Sequence, residues 1–271
     1  MQITSGQATL AAELVGQCTG EGHKDILFLH AGVTDRRSWT PIVKSLSATH
    51  RCISFDARGF GATTYGSEVG WSPVGDVLCV LDAVGSQRSV VVASSLGGRT
   101  AVDLALSHPD RVKALVLIAP AVRGAPYPEP TEREATLDAE AERAQEEGRI
   151  DDANALEAQL WLDGPASRPG RVVGAPRELF LDMNARALRS PDPGPMAVVD
   201  DAWPRLGEIA VPVLVLAGDL DVSDLRAIGR QMASRLPDAE FITIEGVAHL
   251  PQLEAPDRLT AVIRNFLESL G

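Results

Sequence analysis

The chain has 271 residues, of which 45 % are apolar, and a formal net charge of −12 at pH 7. This length suits one α/β domain with an insertion better than two separate domains. The negative charge disfavours nucleic acids and anionic membranes as partners, and the absence of an N-terminal signal pattern or a long apolar run predicts a soluble protein.

Three cysteines, Cys18, Cys52 and Cys79, are scattered along the chain. They form neither a metal-ligand cluster nor a disulfide framework, so the expected compartment is a reducing cytoplasm. We expect no metal and no cofactor.

The first 120 residues alternate between strand-like and helix-like segments. Alternating residues around Ser5-Gly6 predict an edge hairpin over 3–17, and a turn follows at 20–23. Short apolar runs predict buried strands at 25–30, 51–55, from Val90 onward and at 114–119. Apolar residues at helical spacing predict helices at 39–46, at 72–84 and from 101 onward.

The alternation stops at Arg123, and no strand-like run is found from there to about Trp203. This stretch contains nine basic and seventeen acidic residues and carries −8 of the net charge. Three helices are expected: a polar one over 131–147, which we interpret as a solvated decoration, and two with apolar faces around 153–161 and 179–187. Gly- and Pro-rich breakers separate them.

Strands and helices alternate again after the insert. Strands are expected at 211–217 and 240–244, with helices near 225–236 and 255–270. This pattern predicts an α/β fold with a mostly parallel central sheet flanked by helices.

The candidate nucleophile lies where the run from Val90 passes into a helix. Ala93-Ser94-Ser95-Leu96-Gly97 has the small-x-nucleophile-x-small pattern of a nucleophile elbow, in which small residues permit a sharp strand-to-helix turn. An ordinary strand-to-helix turn is the alternative, and Ser94 is the second candidate nucleophile. The first amides of the helix would face the developing negative charge.

A serine nucleophile needs a base, and the base needs an acceptor that fixes its tautomer. Among five histidines, His249 is the candidate base, because it follows the last strand, and an open α/β sheet places its site at such strand ends. The turn after the preceding strand offers two acids, Asp219 and Asp221. The order Ser95, Asp221, His249 matches the chain order of the elbow fold.

These motifs resemble the α/β-hydrolase superfamily over essentially the whole chain. The pieces that carry the resemblance are Leu29-His-Ala-Gly, Asp56-Ala-Arg-Gly-Phe-Gly, Ala-Ser-Ser-Leu-Gly-Gly, Gly218-Asp-Leu-Asp and Gly246-Val-Ala-His. The resemblance implies a hydrolase core over 1–122 and 204–271 and a helical cap over 123–203.

The resemblance also implies roles for single residues. Ser95 would be the nucleophile, His249 the base and Asp221 the acid that orients it. The amides of Leu96 and Gly32 would form the oxyanion hole, with Val33 as the alternative to Gly32, because Ala31 stands where that loop usually has its first glycine. Ala93 likewise replaces the first glycine of the elbow.

Within the superfamily the chain looks like small capped esterases and enol-lactone hydrolases, which implies a small-molecule ester or lactone as substrate. Carbon–carbon bond hydrolases and cofactor-free haloperoxidase-like members share the same motifs, and a slow-turnover ligand receptor is a further alternative. We expect Trp161, Phe180 and Met183 to wall an apolar pocket over Ser95. The motifs indicate neither the substrate nor the oligomeric state.

Overall fold

The computed structural model describes residues 1–16 and 25–271, so the turn expected at 20–23 lies outside the described residues. Within them, eight strands form one sheet in the order β1-β2-β4-β3-β6-β7-β8-β9, and the two-residue β5 pairs with β2. β1 and β2 are antiparallel to their neighbours, and all strands from β4 to β9 along this path are parallel. The strands are β1 (Gln2–Ser5), β2 (Ala8–Val15), β3 (Asp25–Leu29), β4 (Arg51–Phe55), β5 (Thr64–Tyr65), β6 (Ser89–Ser94), β7 (Val112–Ile118), β8 (Val213–Gly218) and β9 (Ala239–Ile244).

Helices cover both faces of this sheet and fill the stretch between β7 and β8. They are α1 (Thr40–Leu46), α2 (Pro73–Ala83), α3 (Leu96–Ser107), α4 (Glu132–Glu146), α5 (Ile150–Glu157), α6 (Ala175–Leu188), α7 (Ser223–Arg235), α8 (Pro251–Glu254) and α9 (Pro256–Ser269). α5 continues as a π-helical segment over Ala158–Asp163. The chain is therefore an α/β protein with a mostly parallel sheet, as its sequence predicts.

The core lies on the two faces of the sheet, because the parallel strands are apolar on both sides. One cluster joins the sheet to α2, α3 and α7, and the other joins it to α1 and α9. In the sheet, β4 lies on one side of β3 and β6 lies on the other, so the chain changes direction across the sheet after β4. The carboxyl ends of β3 and β6 therefore flank a topological switch point, where open α/β sheets bind their ligands.

The polar helix α4 is not the solvated decoration that its composition suggests. Its inner face is buried and packs with Leu160 of the π-helical segment and with Val222 and Leu225, which follow β8. Apart from Leu137, the apolar residues on that face are alanines, which leave little periodic signal in the sequence. The expectation was wrong because small side chains still permit close helix packing.

The chain returns from the insert to the sheet through a strap, residues 191–197. Main-chain bonds join the strap to the segment before α2: the Glu68 N–H donates to Pro193 O (2.9 Å), the Gly70 N–H to Pro195 O (2.8 Å) and the Ala197 N–H to Trp71 O (2.8 Å). Residues 71 and 196 form a parallel bridge. Among the described residues, no helix has both the length and the apolarity needed to span a membrane.

Candidate active site

The turn between β6 and α3 holds Ser95 in an uncommon backbone conformation, with φ 51° and ψ −111°. Positive φ in a non-glycine residue is rare and is typical of a strained functional turn. Neighbouring β7 fixes this geometry, because the Ser95 N–H donates to Ile118 O (2.9 Å) and the Ala121 N–H donates to Ser95 O (3.1 Å). The side chain is half-buried, whereas that of Ser94 is fully buried.

Close approach between the elbow and β3 explains the small residue at position 97. A Cβ on Gly97 would lie 2.5 Å from Leu29 O and 2.8 Å from His30 O. The Gly97 N–H donates to the same His30 carbonyl (3.1 Å). The first turn of α3 therefore lies directly against the end of β3.

Two predicted oxyanion residues meet at this contact. A Cβ on Gly32 would lie 3.5–3.6 Å from the Leu96 side chain, so the loop after β3 touches the residue that follows Ser95. Leu96 is the first residue of α3, and the first amides of a helix have no partner within it. In the described part of the chain, the amides of Leu96, Gly32 and Val33 make no hydrogen bond. The Val33 side chain packs towards the insert.

The candidate base and acid are in contact and buried. His249 Nδ1 lies 3.0 Å from Asp221 Oδ1 and 3.1 Å from Oδ2. The two side chains are 2 % and 0 % exposed. An ionised carboxylate at Nδ1 fixes the tautomer that leaves Nε2 free to accept a proton.

Gly218 allows the loops that carry these two residues to meet. A Cβ there would lie 2.2 Å from both Val247 O and Ala248 O. The Leu220 N–H donates to Val247 O (3.0 Å), which fastens the loop after β8 to the loop after β9. Asp219 makes a different contact: its Oδ1 accepts from the Gly246 N–H (2.6 Å).

Comparisons with known proteins agree with this arrangement. The model of the alpha/beta hydrolase family matches residues 26–262. The chain belongs to this family. It is 24 % identical to a pimeloyl-[acyl-carrier protein] methyl ester esterase of Aliivibrio salmonicida, over 96 % of this chain and 97 % of that one. It is 28 % identical to a 2-hydroxy-6-oxononadienedioate/2-hydroxy-6-oxononatrienedioate hydrolase of Paraburkholderia phymatum, over 92 % and 88 %.

A solved structure gives the same result. The enol-lactonase from Burkholderia xenovorans superposes with a TM-score of 0.75 at 26 % identity, covering 99 % of this chain and 100 % of that one. The fold and the family that the sequence motifs suggest are thus confirmed, and the chain is a hydrolase.

In this alpha/beta hydrolase the insert between β7 and β8 contacts the candidate base directly. The ring centroids of Trp161 and His249 lie 4.8 Å apart. The main-chain N–H of His249 also donates to the main-chain carbonyl of Trp161 (3.3 Å). Gly164 lies against the acid loop, because a Cβ there would be 2.5 Å from Leu220 O. Of the three expected pocket residues, the structure brings Trp161 next to the catalytic candidates.

Phe180 and Met183 are placed differently. They are 0 % and 1 % exposed and pack against Ala31, Leu250 and Leu253. The sulfur of Met183 also accepts from the Asp35 N–H (3.4 Å). These two side chains therefore seal α6 onto the loop after β3 and the segment after His249, and present no open wall.

The sequence motifs do not reveal Glu254, whose carboxylate binds the main-chain amides on both sides of His249. Its Oε2 accepts from the Ala248 N–H (2.8 Å) and its Oε1 from the Leu250 N–H (3.1 Å), the amides on either side of His249. Arg171 of the insert also donates to Oε2 and to the carbonyls of Leu162 and Asp163. Burial raises the pKa of Glu254, which Arg171 and the two amides partly offset. A Glu five residues after a histidine gives no sequence signal for this arrangement.

Glu134 of α4 is a second missed residue. Its carboxylate accepts from the N–H and the Oγ–H of Ser223, both at 2.7 Å. These bonds join Ser223, which lies two residues after Asp221, to α4 of the insert. Burial, the largest single influence, raises the pKa of Glu134, but the bonds from Ser223 and Thr131 together lower it below its usual range. No group of three or more His, Cys, Asp or Glu that could bind a metal ion is found in residues 1–16 and 25–271.

Proposed function

We propose that the chain is a serine hydrolase that cleaves a small carboxylic ester or lactone through an acyl-enzyme on Ser95. The observation that carries this proposal is the buried Asp221–His249 contact at the same sheet edge as a serine in the elbow conformation. The relatives' names support it, since they include an ester esterase and an enol-lactonase.

In the proposed reaction, His249 Nε2 takes the proton of the Ser95 hydroxyl while Oγ attacks the carbonyl carbon. Asp221 stabilises the imidazolium that forms. The tetrahedral oxyanion accepts hydrogen bonds from the Leu96 amide and from the loop after β3, where Gly32 contacts Leu96. His249 then protonates the leaving alkoxide. A water molecule activated in the same way releases the acid and restores Ser95.

A matched pair of serine variants tests this mechanism. Ser95→Ala should reduce hydrolysis of a 4-nitrophenyl ester by about 10⁴-fold or more. Ser94→Ala should retain activity, because Ser94 is fully buried on β6. Mass spectrometry after treatment with a fluorophosphonate should find the adduct on Ser95. Full activity of the Ser95 variant, or an adduct on Ser94, would refute the assignment.

The choice among bond types needs a substrate panel, because a carbon–carbon bond hydrolase has the same three groups. Short and long aryl esters, enol-lactones, acyl-homoserine lactones and a vinylogous diketone cover the alternatives. We expect multiple turnover on esters or lactones and none on the diketone. A single burst without turnover on every substrate would instead support the receptor alternative.

We further propose that residues 123–203 act as a cap and that Trp161 borders the acyl site, because its ring contacts His249. Trp161→Ala should change the preferred acyl length with a small change in thermal midpoint. Phe180→Ala should mainly lower the thermal midpoint, since Phe180 is fully buried. If Trp161→Ala lowers the midpoint and leaves the acyl-length profile unchanged, the residue has a packing function only.

A further inference from the structure

A cavity of about 80 Å³ lies against the first turn of α3, beside the elbow. Its walls are mainly apolar and are formed by Leu29, Phe55, Phe60, Trp71, Leu96 and Met196. Leu96, which directly follows Ser95, and His30, which follows β3 and precedes the loop of Gly32, both line it. Three charged residues, Arg58, Asp76 and Arg99, also line it.

Two of these three charges are already paired. Arg58 Nε lies 2.9 Å from Asp76 Oδ2, and Arg58 Nη1 lies 2.7 Å from Glu68 Oε2. Asp76 Oδ1 also accepts from the Ser5 hydroxyl (2.6 Å). Neither Arg58 nor Asp76 therefore has its charge free for a ligand.

Arg99 differs from both. In the part of the chain that the structure describes, its side chain has no hydrogen bond and no ion pair, although the residue is half-buried. The nearby Asp103 is engaged by Arg123 (3.0 Å). Burial lowers the pKa of Arg99 and the positive charge of Arg123 lowers it further, and the charge of Asp103 offsets this only in part. A guanidinium remains charged in proteins, so its desolvation is offset when an anion binds to it.

We propose that Arg99 binds a carboxylate of the substrate, so that the hydrolysed ester or lactone is one that carries a carboxylate group. This inference rests on the proposed hydrolase function. Arg99 lies one helical turn after Ser95, and its N–H donates to Ser95 O (3.1 Å). The acyl chain between the attacked carbonyl and this carboxylate would then lie against the apolar walls of the cavity. A guanidinium binds a carboxylate through two parallel hydrogen bonds.

Two aryl esters of matched length test this proposal. The 4-nitrophenyl monoester of adipic acid presents a carboxylate at the end of its acyl chain, and 4-nitrophenyl heptanoate presents a methyl group. In the unmodified protein, kcat/KM for the adipate monoester should exceed that for heptanoate. Arg99→Met should reduce kcat/KM for the adipate monoester about 10- to 100-fold, mainly through KM, as expected for loss of a hydrogen-bonded charge pair. Heptanoate hydrolysis should be unchanged.

Arg99→Lys and Arg264→Met are the matched variants. Lysine keeps the charge without the two parallel bonds and should give an intermediate loss. Arg264 is exposed on α9, so Arg264→Met removes the same charge and should leave both esters unaffected. Raising the salt concentration should increase KM for the adipate monoester only.

The outcomes separate the two proposals. If the unmodified protein hydrolyses neither ester nor any lactone, the hydrolase function itself fails. If it hydrolyses both esters but Arg99→Met reduces both equally or affects neither, the hydrolase function stands and the carboxylate site is refuted. An equal loss with a lower thermal midpoint would assign Arg99 a purely structural role.

Discussion

Glu254→Gln keeps the shape of the side chain that brackets His249 but removes its charge. Three donors converge on the two carboxylate oxygens: the Ala248 amide, the Leu250 amide and the Arg171 guanidinium. A glutamine has one oxygen and one NH₂ group. Its oxygen can satisfy the donors at Oε2, but its NH₂ group then faces the Leu250 N–H, donor against donor.

The size of the effect follows from these contacts. One buried amide loses its acceptor, at a cost of about 1–3 kcal/mol. Loss of the ion pair adds to this cost, although Arg171 is 21 % exposed and keeps its carbonyl acceptors. Removal of a charge whose burial raises its pKa offsets part of the loss. We expect a total loss of about 2–4 kcal/mol. For 271 residues, an unfolding entropy of about 2.1 cal/mol/K per residue converts this loss to a fall in Tm of roughly 4–7 °C.

Activity should fall as well, because the freed amides flank the proposed base. We expect kcat on an aryl ester to decrease about tenfold at a temperature where the variant is fully folded. Glu245→Gln, an exposed change in the same loop, is the matched control and should alter neither quantity. An unchanged kcat would refute the view that Glu254 positions His249, and a normal Tm would refute the stability calculation.

Three further predictions concern the acid, the elbow and a buried histidine. Asp221→Asn should lower kcat about 10⁴-fold in a folded protein. Asp219→Asn affects a bond to the Gly246 amide and should lower kcat far less. If a kinetic assay gives the reverse order, Asp219 is the acid. Gly97→Ala should destabilise the fold by about 1–3 kcal/mol in urea unfolding, because its Cβ would overlap Leu29 O. Gly207→Ala is the control, since a Cβ at that position meets no atom within 4 Å. An equal loss of stability in the two variants would contradict the prediction. Burial lowers the pKa of His30. Below about pH 6.5 this histidine therefore binds fewer protons in the folded protein than in the unfolded chain. Its contribution to the unfolding free energy should fall as the pH drops, by up to about 1.4 kcal/mol per pH unit. His30→Gln should reduce that slope between pH 5 and 8, and an unchanged slope would show that His30 does not contribute to it.

The order of strands and helices could be predicted from the sequence because a parallel sheet buries both faces of its strands. Runs such as Val90-Val-Val and Val213-Leu-Val-Leu therefore appear as continuous apolar segments with helical periodicity between them. The elbow was recognisable for a related reason. Its small residues are dictated by a close backbone contact, which is visible at Gly97 as the short distance to Leu29 O.

The contacts around His249 could not be predicted in the same way. Glu254 and Arg171 are 83 positions apart and act on main-chain groups, so neither residue type nor spacing reveals them. The inner face of α4 was missed because alanines bury little apolar area while still allowing close packing. Within residues 1–16 and 25–271, the lack of an ion-pair partner for Arg99 depends on which acids lie nearby in space. Asp103, four residues along the same helix, pairs with Arg123 instead.

The strap over 191–197 limits how this chain tolerates changes of length. Three of its bonds to residues 68–71 join main-chain atoms, so most side-chain substitutions leave them in place. A fourth is made by a side chain, since Trp71 Nε1–H donates to Gly194 O (2.8 Å). The prolines at 191, 193 and 195 restrict the φ angle at these positions, and their carbonyls accept. Adding or removing one residue here would move every donor away from its acceptor. We therefore expect grafted helices to be tolerated when they are joined before residue 190, whereas a junction inside the strap would break its bonds to the segment before α2.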